Sequence, residues 1–218
     1  MPNWVTNKVQ APSHVIRAML NADGRVDFRT VAPFPGPHDW EFIDCAAETA
    51  AEMVCKIHLI SNPLIATLQQ ANCERANIKK LSDESFKQFL GMLENYHACG
   101  YLHSMAFILE MWGTKSNAFE FHQADPDNGT CQFDTAGSCP MGVLVKLSER
   151  FPDDAITVIY ADEDIGSNCG TFTLKAGQVV EKDIAPDWRD LDKAGQAKWS
   201  AFAYQVRGLE PETEDEET

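Results

Sequence analysis

The chain has 218 residues, of which 44% are hydrophobic, and a formal net charge of -15. That content builds a sizeable core and excludes a wholly disordered chain. The charge excludes a body made for phosphates, because neutralising them takes Lys or Arg.

Six acids sit in the terminal stretch EPETEDEET, and without them the net charge is still -9. An acidic body suits solubility or a basic partner. The seven cysteines form no C-x-x-C pair. MPNWVTNKVQ lacks the apolar core of a signal peptide, and no segment reaches the roughly 18 apolar residues of a membrane span. These features predict a cytoplasmic protein with free thiols.

NWVTNKVQ reads as a strand. PSHVIRAMLNADG reads as a short helix capped by Ser13, with Val15, Ile16, Met19 and Leu20 on one face and Gly24 at its end. RVDFRTV alternates Val26, Phe28 and Thr30, which is strand periodicity. APFPGPH then breaks the chain.

Between Trp40 and Trp112 the composition turns helical. DWEFIDCAAETAAEMVCKIHLI and NPLIATLQQANCERANIKKL are predicted helices. A third starts at Ser82 with acids in its first turn and breaks near Gly100. Met105, Leu109 and Trp112 continue an apolar stripe, and Gly113 is the expected left-handed stop.

Beyond Gly113 the pattern is β-like. NAFEFHQA and TCQFDTAG read as strands joined by the turn PDNG. CPMGVLVKLSERFP reads as a helix, DAITVIYADED as a buried strand, and GTFTLKAGQVVEKDI as a hairpin turning at Ala176 and Gly177. PDWRDLDKAGQAKWSAFAYQVRG is a last amphipathic helix. The expected fold is α+β, a ferredoxin-like β-α-β-β-α-β core with a helical insertion between its halves and a C-terminal helix. The boundaries are 1–39 for the first half, 40–112 for the insertion and 113–186 for the second half with its hairpin. Residues 187–208 are the C-terminal helix, and 209–218 a disordered acidic tail.

MPNWVTNKV, WGTKSNA and LSERFPDDAITVIYADEDIGSNCG resemble the Api-like, ferredoxin-like family of phages and conjugative plasmids. The family pattern runs Met-Pro-Asn, Val-Thr-Asn, then Trp-Gly-Thr-Lys before Asn-Ala, a Leu-Ser-x-x-Phe-Pro helix end, and Tyr-Ala-Asp-Glu-Asp before a glycine. The matched stretches, 1–35 and 111–177, cover roughly half of the chain. The family often has aromatics where Ser116 and Gly137 stand here. The resemblance implies an α+β fold and a mobile-element origin, and it supplies no catalytic residue.

Several groups of residues invite a chemical reading. Cys139, at a predicted helix start, is a nucleophile candidate because the helix dipole lowers a thiol pKa; His122 is the nearest base, and a buried structural cysteine is the competing reading. Cys99 and His103 at i, i+4, joined by Cys55 and His58, would make a Cys2His2 metal site, against which stand core cysteines and interface histidines. YADEDIGSN lacks the EF-hand order, although Asp162 and Asp164 could still hold a cation or a basic partner. Trp112, Lys115, Asn117, Asp162, Glu163 and Asp164 are the candidate binding residues. Phosphate-loop, dinucleotide and hydrolase signatures are missing, and the aromatics do not lie among basic residues.

The expected function is a non-enzymatic interaction protein without cofactor, met in the cytoplasm of a bacterial host. Its expected partner is a host protein or ribonucleoprotein with a basic surface. The resemblance makes antagonism of a host defence complex, anti-CRISPR-like, the role to test. A metal- or thiol-dependent small-molecule enzyme is the alternative. A nucleic-acid-binding accessory protein is a further alternative, which the net charge disfavours.

Overall fold

A computed structural model of the chain describes residues 3–55, 63–119 and 123–211. Strand β1, Trp4–Gln10, sends Val5, Asn7 and Val9 to one face, all buried. Helix α1, Ser13–Ala18, follows Pro12 directly, so Ser13 is its first residue rather than its cap, and no side chain caps that end. Val15, Ile16 and Met19 are fully buried.

The strand expected from Val26 to Thr30 does not form. Phe28–Thr30 is a 3-10 turn, with a single bridge between Leu20 and Val26. The Asp27 carboxylate accepts from the Arg29 N–H, and the Thr30 hydroxyl donates to the carbonyls of Ala18 and Asp27. These local bonds take the Arg29 N–H and the Asp27 carbonyl, backbone groups that a ladder would need.

The chain divides into two compact units, Phe34–Phe107 and Met1–Pro33 with Ile108–Thr218. The first is helical. Helix α2 spans Cys45–Cys55, α3 Pro63–Arg75, α4 Asp83–Cys99 and α5 Ser104–Phe107. Residues 40–44 lie before α2 rather than inside it, because Asp44 caps the helix by accepting from the N–H groups of Ala46 and Ala47. Ser82 caps α4, and Gly100 ends it in the left-handed region. The alanines Ala47, Ala50 and Ala51 of α2 pack with Phe89 and Met92 of α4.

The second unit holds the sheet. After a π-helical turn, Ile108–Trp112, come β2 (Gln123–Asp125), β3 (Thr130–Ala136), α6 (Met141–Arg150), β4 (Ile156–Asp162), β5 (Cys169–Lys175), β6 (Gln178–Ile184) and α7 (Lys193–Arg207). The predicted strand 117–124 shortens to β2 within the described residues; Glu120, Phe121 and His122 lie outside them. The predicted stripe of Met105, Leu109 and Trp112 does not survive. Met105 and Leu109 are more than half exposed while Trp112 is buried, since a π turn closes at i+5 and changes the helical phase.

Within the described residues the strands form one sheet in the order β2-β3-β1-β4-β5-β6, every pair antiparallel. β1-α1-β2-β3-α6-β4 is the β-α-β-β-α-β plan, with β2 as its second strand and the helical unit between α1 and β2. β5 and β6 extend the sheet. One face carries Val5, Val9, Phe133, Val158, Phe172 and Leu174, all buried, and α6 packs against β5. The other face carries Ala161 and Cys169, which α7 covers with Trp199, Ala203 and Val206. Each such aliphatic or aromatic side chain contributes on the order of 1.5–3 kcal/mol by leaving water.

A candidate binding surface at one end of the sheet

β1 begins where β3 and β4 finish: Trp4 faces Ala136, and Val5 faces Asp162. This register brings three distant stretches of sequence together. They are the residues around Asn3, the stretch from Trp112 to Asn117, and the turn from Asp162 to Asn168.

The stretch from Trp112 is built from the inside outward. The Trp112 indole N–H donates to the Ala32 carbonyl (2.8 Å), and its ring meets Phe28 edge-on at 5.5 Å. Gly113 takes a φ of 75°, which a residue with a Cβ rarely adopts. The buried Thr114 hydroxyl donates to the Ala136 carbonyl (3.0 Å), and the Ser138 hydroxyl donates to the Gly113 carbonyl. Asn117 accepts from the Phe28 N–H (2.9 Å) and donates to the Asp27 carboxylate (2.7 Å). Trp112 and Asn117 are thus held within the fold. Lys115 is exposed, with its Cε about 4.0 Å from where a Cβ on Gly137 would stand. Gly137, with no side chain, therefore leaves the lysine uncovered on that side.

Asp162 is 4% exposed and organises the adjoining turn. Its carboxylate accepts from the Asp164 N–H (2.9 Å), the Asn168 side chain (2.8 Å) and the Asn3 side chain (3.3 Å). Asn168 itself has a φ of 43°, a region asparagine tolerates. Asn3 accepts at its carbonyl from the Gly137 N–H (2.8 Å), and the Glu163 N–H donates to the Trp4 carbonyl (2.9 Å). With its oxygens engaged this way, Asp162 is a turn organiser, while Glu163 and Asp164 point into solvent.

The sequence did not single out Asn3 or the Trp4–Phe119 pair, whose rings lie 4.4 Å apart, and gave Asn168 no role. Asn3 and Asn168 do stand in the quoted motifs. Their joint role shows only when both reach the same carboxylate.

The nucleophile and metal readings meet a different geometry. Cys139 is buried, and burial pushes its thiol well above the ordinary range. Desolvation outweighs the dipole of a helix whose first residue is Met141. His122, the proposed base, lies outside the described residues. The Cys99 thiol donates to the Tyr101 carbonyl (3.8 Å), and His103 Nε2 pairs with the Glu48 carboxylate (2.9 Å). Burial raises the pKa of the Cys55 thiol, and His58 lies outside the described residues. Among the described residues, no three His, Cys, Asp or Glu side chains gather as a metal site.

The fold and this surface define a mixed α+β protein with a ferredoxin-like domain. Residues 112–199 match the family model for the ferredoxin-like domain in Api92-like protein. The match opens at Trp112 and includes the Asp162 turn. The crystal structure of a protein api92 from Yersinia pseudotuberculosis is similar over 85% of this chain and 99% of its own, at 10% sequence identity and a TM-score of 0.37. No curated protein matches the chain.

Proposed function

We propose that the protein works by binding, and that its partner is a macromolecule with a basic surface. The observation that carries this reading is the Asp162 turn. It presents two exposed carboxylates, Glu163 and Asp164, on a backbone held by a buried third. A surface fixed before contact gives up little conformational entropy on association. Lys115 beside Gly137, and Arg207, whose guanidinium donates to the Trp4 carbonyl (3.1 Å), add cationic points near these carboxylates, which would set the orientation of the partner rather than its affinity.

The sequence resemblance supports a narrower version. On that version the chain comes from a phage or plasmid, acts inside a bacterial host, and occupies the basic nucleic-acid or nucleotide site of a defence complex. No helix of the described residues is long and apolar enough to cross a membrane.

The test uses the full chain immobilised and exposed to bacterial lysate at about 0.1 M and about 0.5 M salt, the second short in Debye length. The Glu163→Lys, Asp164→Lys double variant runs beside it. A partner retained by the wild type at low salt and absent from the variant supports the reading. Identical capture by both proteins overturns it.

A further inference from the structure

The two edges of the sheet are unlike. Within the described residues β2 is three residues long, whereas β6 has seven, all of them exposed. The Ala185 N–H donates to the Cys169 carbonyl, and Asp183 and Glu181 face Thr171 and Thr173. In an antiparallel pair the backbone groups alternate, so those of Lys182 and Ile184 point away from the sheet. Beside this edge runs a groove of about 410 Å³, lined among others by Met141, Phe172, Val179, Val180 and Ile184. Val180 is 60% exposed, and Val179 and Ile184 are also counted among the exposed apolar residues.

We propose that β6 is a strand-addition site that takes an extended peptide segment of another protein, with alternating apolar and basic residues. The backbone of the segment would pair with the outward N–H and C=O groups of Lys182 and Ile184. Its apolar side chains would enter the groove on the Phe172 side. Its basic side chains would lie on the opposite side, with Glu181 as their main partner, since Asp183 already pairs with Lys198 (3.2 Å). The pairing Phe172↔Lys182 sets one face, and Thr173↔Glu181 and Thr171↔Asp183 set the other.

Charge disfavours a second copy of the chain in the registers centred on the charged part of the strand, and favours a basic segment there. Antiparallel self-pairing about a twofold axis centred on 181, 182 or 183 puts Glu181 on Glu181, Lys182 on Lys182 or Asp183 on Asp183. Like charges directly opposite one another are unfavourable, and this is how edge strands resist self-association. A basic segment meets no such penalty at Glu181. The proposal does not depend on the Asp162 turn, so the Glu163→Lys, Asp164→Lys variant leaves it intact.

The probe is a seven-residue capped peptide of alternating valine and lysine, titrated into the full chain, with a valine–glutamate peptide as its control. The lysine peptide is expected to bind more tightly. Lys182→Pro removes an outward N–H without touching the β5 ladder and should weaken binding about tenfold, while Lys182→Ala leaves it within about twofold. Glu181→Lys, which keeps the backbone intact, should reverse the preference to the glutamate peptide. Equal binding of both peptides, an unchanged preference in Glu181→Lys, or loss of a homodimer as the only effect of Lys182→Pro would each overturn the proposal.

Discussion

Replacing Asp162 by alanine removes a buried carboxylate that accepts three hydrogen bonds, from Asp164 N–H, Asn168 and Asn3. Hydrogen bonds to a charged acceptor contribute about 1.5–3 kcal/mol each when their donors are left dry. Here the donors belong to exposed residues and regain water, so each is assigned the ordinary net value of about 1 kcal/mol. The expected loss is therefore about 3 kcal/mol, which at about 2–3 kcal/mol per molar of urea moves the unfolding midpoint down by roughly 1–1.5 M. Asp162→Asn keeps one acceptor oxygen but turns an amide donor toward a donor, and should cost about half as much. Urea titration followed by tryptophan fluorescence measures both, and hydrogen exchange at the Asp164 amide should accelerate. An alanine variant within about 0.5 kcal/mol of the wild type, or an asparagine variant worse than alanine, would refute the assignment of Asp162 as the organiser of this turn.

Four further perturbations test other parts of the molecule. Asp44→Ala removes the cap of α2 and should cost about 1–2 kcal/mol in thermal or urea unfolding. The Asp44 carboxyl lies below its ordinary 3.8, chiefly because the Ala47 N–H bonds to it, so its contribution is present above that value and is lost as pH falls through the lower folded one. The acid side of the stability profile should therefore be flatter in the variant. Gly142→Ala would place a Cβ 1.8 Å from the Met111 carbonyl oxygen, a clash that forces α6 away from the turn before Gly113. That overpacking should cost more than about 3 kcal/mol, read as the fall in urea midpoint. Burial raises Cys131 to about 12 and Cys169 to about 11 from an ordinary 9.0. Their contribution to stability is complete below pH 9 and disappears as pH rises through those folded values, so the urea midpoint should fall only above that point. In the native protein a thiol reagent should modify the exposed Cys45 and leave Cys131, Cys139 and Cys169 untouched until urea is added.

Local punctuation was legible where a residue acts on its own backbone. Ser82 starts α4 and Gly100 stops it, Pro126–Asn128 and Gly129 turn β2 into β3, and Ala176 and Gly177 turn β5 into β6 with positive φ angles. The apolar run in the β4 sequence ITVIYAD likewise marked a buried strand, and both of its faces are covered, at Val158 on one side and Ala161 on the other. The candidate surface was legible only as separate motifs. Trp112, Asn117 and Asp162 were singled out for binding, and their side chains instead hold Ala32, Phe28, Asp27, Asp164, Asn168 and Asn3 in place.

Hydrophobic period, caps and turn residues are short-range signals. From them the chain alone determined a mixed α+β fold of the β-α-β-β-α-β kind, a helix-rich middle and a last helix. Which residues would supply the second strand was not among the things a period could decide. Residues 25–31 alternate like a strand, yet the Asn117 carboxamide, 89 positions away, takes the Phe28 N–H that such a strand would use. The tertiary structure decided that, and with it which polar side chains of the motifs are consumed inside and which, Lys115, Glu163 and Asp164, stay exposed. The physical reason is the same in each case. A hydrogen-bonding group has few partners, and which partner comes within 3 Å is settled by the packing of distant segments and not by its neighbours in sequence.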